Sequence, residues 1–225
     1  MAATTSGKGT SIARLIFIPA LISLAITIIR LIGELQHWPT ALFNPTAGGA
    51  GSIIGITWLA PIFGIYFALK LSAAGEGPDD RGRALRLAIV GFILFIGGAL
   101  LAIIPKLDFP GKVVVALFLL LIAVGLQYAG WPKLFKTLLA YAYAARIPVA
   151  ILMYFAIKGD WGTHYDVVRP DFPVSTEFWP KYFQIAFVPQ MILWIAFTII
   201  TGMLTGSIVA AVKRRGQPTT QTASA

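Results

Sequence analysis

The sequence predicts an all-α, polytopic membrane protein whose six transmembrane helices form one bundle with both termini in the cytoplasm. Two features of the composition indicate this class: 57% of the 225 residues are hydrophobic and only 12% are charged, whereas roughly a quarter of a soluble domain is charged. The third feature is that apolar residues occur in runs near the ~20 residues that span about 30 Å of hydrocarbon. These runs lie at about 13–34, 52–72, 84–105, 111–130, 134–157 and 181–212.

The runs divide the chain into three regions. Residues 1–12 are expected to form a cytoplasmic leader, 13–212 the transmembrane domain, and 213–225 a disordered cytoplasmic tail, because this last segment is small and polar. The first run is longer than the ~7–15 apolar residues of a signal peptide, and no small-x-small cleavage site follows it. We therefore expect it to be retained as the first helix.

Several helix ends and contacts can also be predicted. Asp79 or Asp80 can cap the third helix, and Pro132 has the first-turn position that proline favours in the fifth. The last run is longer than one span, so it should tilt or continue along the interface. Gly202 and Gly206 form a GxxxG pattern at which two helices can approach closely.

The distribution of lysine and arginine orients the six predicted spans. The richer side carries Lys8, Arg14, Lys70, Arg81, Arg83, Arg86, Lys133, Lys136, Lys213, Arg214 and Arg215. The poorer side carries Lys106, Lys112, Lys158, Arg169 and Lys181. Because basic loops stay in the cytoplasm, both termini are expected inside, in the cell (inner) membrane. The two long loops at about 36–51 and 158–180 are then extracytoplasmic.

The net charge of +9 is explained by these basic loops, so it does not indicate a nucleic-acid partner. The absence of cysteine excludes disulfides and thiolate metal sites. The sequence also lacks a P-loop, a GxSxG motif and a dinucleotide fingerprint. An enzymatic site would therefore have to be built from the outer loops.

Arg146 is the most informative single residue, because it lies near the middle of the fifth span. At 1.5 Å per residue it is roughly 18 Å from Lys158, where a charge costs at least ~2.5–3.5 kcal/mol. One interpretation is a site for an anion or polar headgroup, with Tyr143 one turn away. The alternative is a structural lock, in which Arg146 binds tyrosine hydroxyls and the Ala144 carbonyl that Pro148 leaves without a donor.

Arg30 and Glu34 are one turn apart at the outer end of the first helix. They can pair at i,i+4, and Glu34 would then form the floor of an outer cavity with His37 nearby. In the alternative, Arg30 extends towards the lipid headgroups and Glu34 is simply interfacial.

The outer segment 159–166, GDWGTHYD, concentrates polar chemistry. Asp160, His164 and Asp166, together with His37 from the other loop and Glu34 at the end of the first helix, could supply the nitrogen and oxygen ligands of a divalent metal such as zinc or manganese. Haem ligation by the two histidines is a further alternative. The remaining interpretation is a solvated loop whose rings form an interfacial aromatic belt, made of Trp161, Tyr165, Phe172, Phe178 and Trp179.

Four prolines fall inside predicted spans: Pro19, Pro61, Pro148 and Pro189. Broken helices are tolerated at membrane depth where protein or a water-filled cavity supplies hydrogen-bond partners, and they recur in transporters. Gln190 and Trp194 follow Pro189 and would give that kink a polar lining.

These observations favour a small transporter or channel-like protein with a kinked core around Arg146. Its expected ligand is an anionic or polar solute or a lipid headgroup, with Arg146, Tyr143, Gln190, Arg30 and Glu34 as candidate binding residues. One alternative is a membrane enzyme with a metal or acid/base site at the outer face. The other is an assembly subunit, for which a homo-oligomer or a larger membrane complex would be the partner.

Overall fold

A computed structural model describes residues 9–49, 52–104, 109–170 and 172–214, and within them the protein is helical, with no β-strand. The helices are α1 (Ile12–Leu35), α2 (Leu59–Ala73), α3 (Arg81–Ile103), α4 (Lys112–Gly130), α5 (Pro132–Gly159), α6 (Phe178–Tyr182) and α7 (Trp194–Arg214). Two π-helical turns, Phe183–Phe187 and Pro189–Leu193, join α6 to α7. The all-α prediction is confirmed. Residues 1–8 of the predicted leader and 215–225 of the predicted tail lie outside the described residues.

Five helical segments are long and apolar enough to cross a membrane, as expected of a helical membrane protein. They are α1, α3, α4, α5 and the continuous segment Phe178–Lys213, and their ends fall close to the predicted limits. The helix α2 has 15 residues and is therefore about 22 Å long, shorter than the ~30 Å hydrocarbon layer. The prediction of a helical membrane protein holds, while the predicted count of six spans is not confirmed.

The second apolar run, 52–72, is helical only in its later part. Residues 52–58 are irregular, and part of their backbone pairs with the preceding loop: the N–H groups of Ile53 and Ile54 donate to the carbonyls of Ala41 (3.3 Å) and Leu42 (3.1 Å). Hydrophobicity predicted a helix here, but this part of the run belongs to the loop instead.

Helix starts follow the local chemistry of the sequence. Pro61, expected inside a span, lies in the first turn of α2, where its missing N–H removes no helical hydrogen bond. Pro132 is the first residue of α5, as predicted. The side chain of Asp80 accepts a hydrogen bond from the Arg83 N–H (3.0 Å), which confirms the predicted cap of α3.

The described helices belong to two compact units. The scaffold unit comprises Met1–Ser11, Pro61–Lys136 and Ile200–Ala225, and the site unit comprises Ile12–Ala60 and Thr137–Ile199.

The scaffold unit shows the close helix approach that the GxxxG pattern predicted. A methyl group added at Gly64 of α2 would overlap the backbone of Gly202 in α7, and one added at Gly206 would meet the Gly64 carbonyl. The Thr205 hydroxyl donates to the carbonyl of Pro61 at 2.9 Å. Small residues allow this contact because no side chain separates the two backbones.

The site unit is held together by a hydrophobic cluster and by buried hydroxyls. The cluster consists of Val149, Met153, Ala156, Ile157, Tyr165, Tyr182 and Ala186. Ser23 of α1 lies 2.8 Å from the Tyr141 hydroxyl of α5, and Tyr182 donates to the Ala150 carbonyl at 3.3 Å. These bonds satisfy polar groups that would be costly to bury alone, so they fix α1 and the last segment against α5.

Candidate functional site

Glu34 joins the end of α1 to the loop after α5. Its carboxylate accepts hydrogen bonds from Arg30 Nε (2.8 Å) and from the His164 backbone N–H (2.9 Å). His164 Nδ1 lies 2.6 Å from Oε1 of the same carboxylate. Glu34 is 3% exposed, so its charge is compensated by these partners rather than by water. The predicted Arg30–Glu34 pair is present, and its histidine partner is His164 rather than the exposed His37.

Arg30 also fixes the first outer loop. Its Nη2 atom donates to the carbonyls of Asn44 (3.2 Å) and Gly49 (3.0 Å). Gly49 has a φ of 63°, a conformation that suits glycine, and an added Cβ would contact the Arg30 guanidinium and the His164 ring. The glycine-rich turn therefore allows close approach of the backbone to both side chains.

Asp166 shapes the opposite loop, because its carboxylate binds the chain that precedes it. It accepts hydrogen bonds from the N–H groups of Gly162 (2.8 Å) and Thr163 (2.8 Å) and from the Thr163 hydroxyl (2.6 Å). This short closed turn carries His164 to Glu34. Asp166 is thus a positioning residue for the loop.

The structure does not assemble the predicted metal site. Asp166 is engaged with its own loop, while Asp160 and His37 are exposed and His164 is bonded to Glu34. Among the described residues, no group of three His, Cys, Asp or Glu side chains is placed to hold a metal ion. These residues were near one another in predicted topology, but topology does not determine where side chains point.

Tyr165 also departs from the sequence-based expectation of an aromatic belt. It is only 4% exposed, and its hydroxyl donates to the Thr27 carbonyl of α1 at 3.3 Å. Burial raises the pKa of this phenol above its ordinary value, so Tyr165 remains a neutral donor. Trp161, Phe172 and Trp179 are exposed, as a belt requires.

Arg146 is buried in α5 and is 4% exposed. Within the described part of the chain its one hydrogen bond runs from Nη1 to Gln190 Oε1, at 3.4 Å. Its guanidinium carbon lies 4.6 Å from the centre of the Trp194 ring, a cation–π distance. Because a guanidinium has five N–H donors, most of its hydrogen-bonding capacity is left for a ligand.

The π-helical turns explain how Gln190 reaches Arg146. Bonds from residue i to i+5 widen the helix, and Pro189 contributes no N–H to the regular pattern. Gln190 lies in the second of these turns and is buried. Such turns are frequent at functional sites.

Tyr143 is not part of this arrangement. It is 43% exposed and is absent from the described residues that line the cavity around Arg146. Sequence spacing put it one turn away, but α5 directs it to the outside.

These side chains surround a cavity of about 520 Å³, here called the cationic cavity. Its polar lining comprises Thr27, Arg30, Thr57, Arg146, His164, Tyr165, Arg169, Gln184 and Gln190, with the turns at Gly48, Gly49 and Gly55. Arg169 and Gln184 are exposed and lie at its mouth, whereas Arg146 is buried. No Asp or Glu is among the described residues of the lining, because Glu34 lies behind Arg30 and His164. The cavity is therefore suited to an anion.

No model of a known protein family matches the chain, and neither a curated protein nor a solved structure matches it significantly.

Sequence reasoning identified Arg30, Glu34, Arg146 and Gln190 but missed the part played by Arg169 and Gln184. Arg169 was counted only as a charge of the outer loop. A signal was present for Arg169, which follows GDWGTHYD closely. Gln184 gave none, because residues six positions apart do not share one face of an α-helix.

The environment of His164 predicts how stability depends on pH. Burial lowers the pKa of His164 below its ordinary value, and the hydrogen bond to Glu34 offsets this effect only in part. Between the lowered pKa and the unfolded value of about 6.5, the unfolded chain binds more protons. The contribution of His164 is therefore complete above about pH 6.5 and is lost as the pH falls through the folded pKa.

We expect thermal unfolding in detergent to show this loss between pH 7.5 and pH 5, and His164→Gln to show a smaller pH dependence. The matched control is His37→Gln, which replaces the exposed histidine. An unchanged pH dependence in His164→Gln would contradict the expectation.

Proposed function

We propose that this membrane protein binds an anionic solute or an anionic lipid headgroup in the cationic cavity and transfers it across the membrane, as a transporter or channel-like protein does. The observation that carries the proposal is the buried guanidinium of Arg146, with one hydrogen bond within the described chain and a cavity in front of it. A charge held in an apolar environment attracts a counter-charge strongly. An anion would supply that charge together with the missing acceptors.

The planar guanidinium also favours a particular kind of anion. It binds carboxylate and phosphate oxygens in pairs, and the amide of Gln190 holds it from one side. Arg169 adds positive charge at the mouth of the cavity, where a ligand would enter, and such charge increases the local concentration of anions. π-helical turns are frequent at functional sites, and the second of those in the last segment carries the Gln190 that is bonded to Arg146.

The direct test is anion-dependent stabilisation of the purified protein. Sodium phosphate, sodium acetate and a short-chain phosphatidic acid are compared with sodium chloride at equal ionic strength. At a concentration 100 times the Kd, binding stabilises by about 2.7 kcal/mol, which corresponds to a rise in Tm of about 5–10 °C for a chain of this size. The proposal fails if none of the three raises the Tm above chloride.

A second candidate, a membrane enzyme at the same cavity, is favoured by the Glu34–His164 pair. A carboxylate bound to Nδ1 orients an imidazole so that Nε2 can accept a proton. Chemical change in the bound anion separates the two functions: the phosphorus NMR spectrum of butyl phosphate stays constant with a transporter and gains a product signal with an enzyme.

We further propose six spans with both termini in the cytoplasm. The cysteine-free chain allows single cysteines at Thr5, Thr176 and Ser224 to be labelled in intact cells with an impermeant thiol reagent. We expect labelling at position 176 alone. If α2 did not cross the membrane, the termini would be on opposite sides, and one of positions 5 and 224 would be labelled.

A further inference from the structure

The cationic cavity has an apolar wall as well as a charged one. Its apolar residues include Ile56, Val149, Met153 and Ile185. Val149 and Met153 belong to the buried cluster of the site unit, and Ile56 and Ile185 pack against that cluster. These four residues are therefore part of a packed core.

The charged and apolar parts are aligned along one helix. Arg146, Val149 and Met153 lie at positions i, i+3 and i+7 of α5, which share one helical face. All three line the cavity. At 1.5 Å per residue, the strip from Arg146 to Met153 is about 10 Å long. A ligand whose acidic group contacts Arg146 would therefore have apolar side chains beside the rest of its length.

The volume of the cavity also indicates a ligand larger than its acidic group. Sites for organic ligands measure roughly 300–1,000 Å³, and this cavity has about 520 Å³. A bare phosphate or sulfate ion would occupy a small part of that space. It would also leave the apolar wall in contact with water, and contact between this wall and an apolar ligand would be favourable.

We infer that the ligand is an organic anion with one acidic group and an apolar body, the acidic group at Arg146 and the body against Ile56, Ile185 and the α5 strip. This inference rests on the proposed function, because it names the ligand class of the same cavity. The source is a soluble amphiphilic acid or a lipid with an acidic headgroup, which share this chemistry. A ligand with a cationic group fits poorly, since the described lining offers that group no carboxylate.

The test is a homologous series of inorganic, ethyl, butyl and hexyl phosphate, measured by calorimetry on the full chain in nanodiscs of phosphatidylcholine. Each buried methylene is expected to increase the affinity about fourfold. The same series measured on Arg146→Ala shows how much of the signal comes from partition of the alkyl phosphates into the bilayer. Ile185→Thr and Ile56→Thr replace half-buried wall residues, and either should reduce the increase in affinity per methylene.

Equal affinity for inorganic and hexyl phosphate, with binding lost in Arg146→Ala, would overturn the inference and leave the proposed anion site intact. A chain-length dependence retained in Arg146→Ala would also overturn it, because partition into the bilayer would then explain the trend. Absence of Arg146-dependent binding throughout the series would count against the proposed function itself. If phosphatidic acid in the nanodisc displaces hexyl phosphate, the ligand is a lipid with an acidic headgroup. If hexyl phosphate binds and is not displaced, the ligand is a soluble amphiphilic acid.

Discussion

Replacement of Arg146 by alanine is expected to abolish anion-dependent stabilisation while the protein remains folded. Hydrogen bonds to a charged group contribute about 1.5–3 kcal/mol each, so loss of the two bonds of a bidentate contact should weaken binding by about a hundredfold to about ten-thousandfold. The folded state loses one long hydrogen bond, to Gln190 (3.4 Å), and the contact with Trp194. It also loses the cost of burying a charge, so the Tm without anion should change little.

Arg146→Lys should restore the charge but little of the binding, because an ammonium lacks the planar fork that holds two oxygens. Arg86→Ala, which removes an exposed arginine of α3, is the matched control. A structural lock makes the opposite prediction: strong destabilisation that diminishes in a Pro148→Ala background, since the two would share the Ala144 carbonyl. We expect the two substitutions to be additive, because the described contacts of Arg146 do not include that carbonyl.

Glu34→Ala is expected to cause the largest loss of stability in the site unit. It leaves Arg30 and His164 buried without their common carboxylate, and breaking a buried ion pair by removing one partner costs about 3–5 kcal/mol. For a chain of this size, that corresponds to a Tm about 6–20 °C lower. Glu34→Gln should be less damaging, because the amide oxygen still accepts one of the hydrogen bonds.

The matched control for Glu34 is Glu177→Ala, an exposed glutamate whose side chain makes no capping hydrogen bond at the start of α6. The Tm values of Glu34→Ala, Glu34→Gln and Glu177→Ala are measured by thermal unfolding in the same detergent. A Glu34→Ala protein as stable as Glu177→Ala would show that the ion pair contributes nothing to the fold.

The long helices could be predicted because their signals are local. An apolar run of sufficient length, the cap at Asp80 and the proline at 132 each act within a few residues, and the structure agrees with all of them. Residues 52–58 could not be predicted in the same way. Their sequence is apolar, but their backbone is bonded to residues 41 and 42, and no local pattern indicates that pairing.

The residues of the candidate site also differ in whether a local sequence signal predicts them. Arg146 and Glu34 were evident from sequence, because a charge inside an apolar run requires an explanation. The partner of Glu34 was not evident, since His37 and His164 are both in outer loops and only the three-dimensional loop conformations choose between them. Tyr143 and Tyr165 show the same effect. Tyr143 was expected at the site because it is one turn from Arg146, but it is exposed; Tyr165 was expected in an interfacial aromatic belt, but it is buried.

The two π-helical turns determine the helical phase of the last segment. Successive residues of an α-helix are rotated by about 100°, and a turn closed by i to i+5 bonds accommodates one residue more than an α-helical turn. The face on which Gln190 lies relative to Trp179 is therefore determined by the number of residues between them as well as by their identity. A deletion of one residue between Phe183 and Leu193 would preserve the composition of the segment almost unchanged. It would nevertheless rotate every side chain on one side of the deletion by about 100° relative to the other.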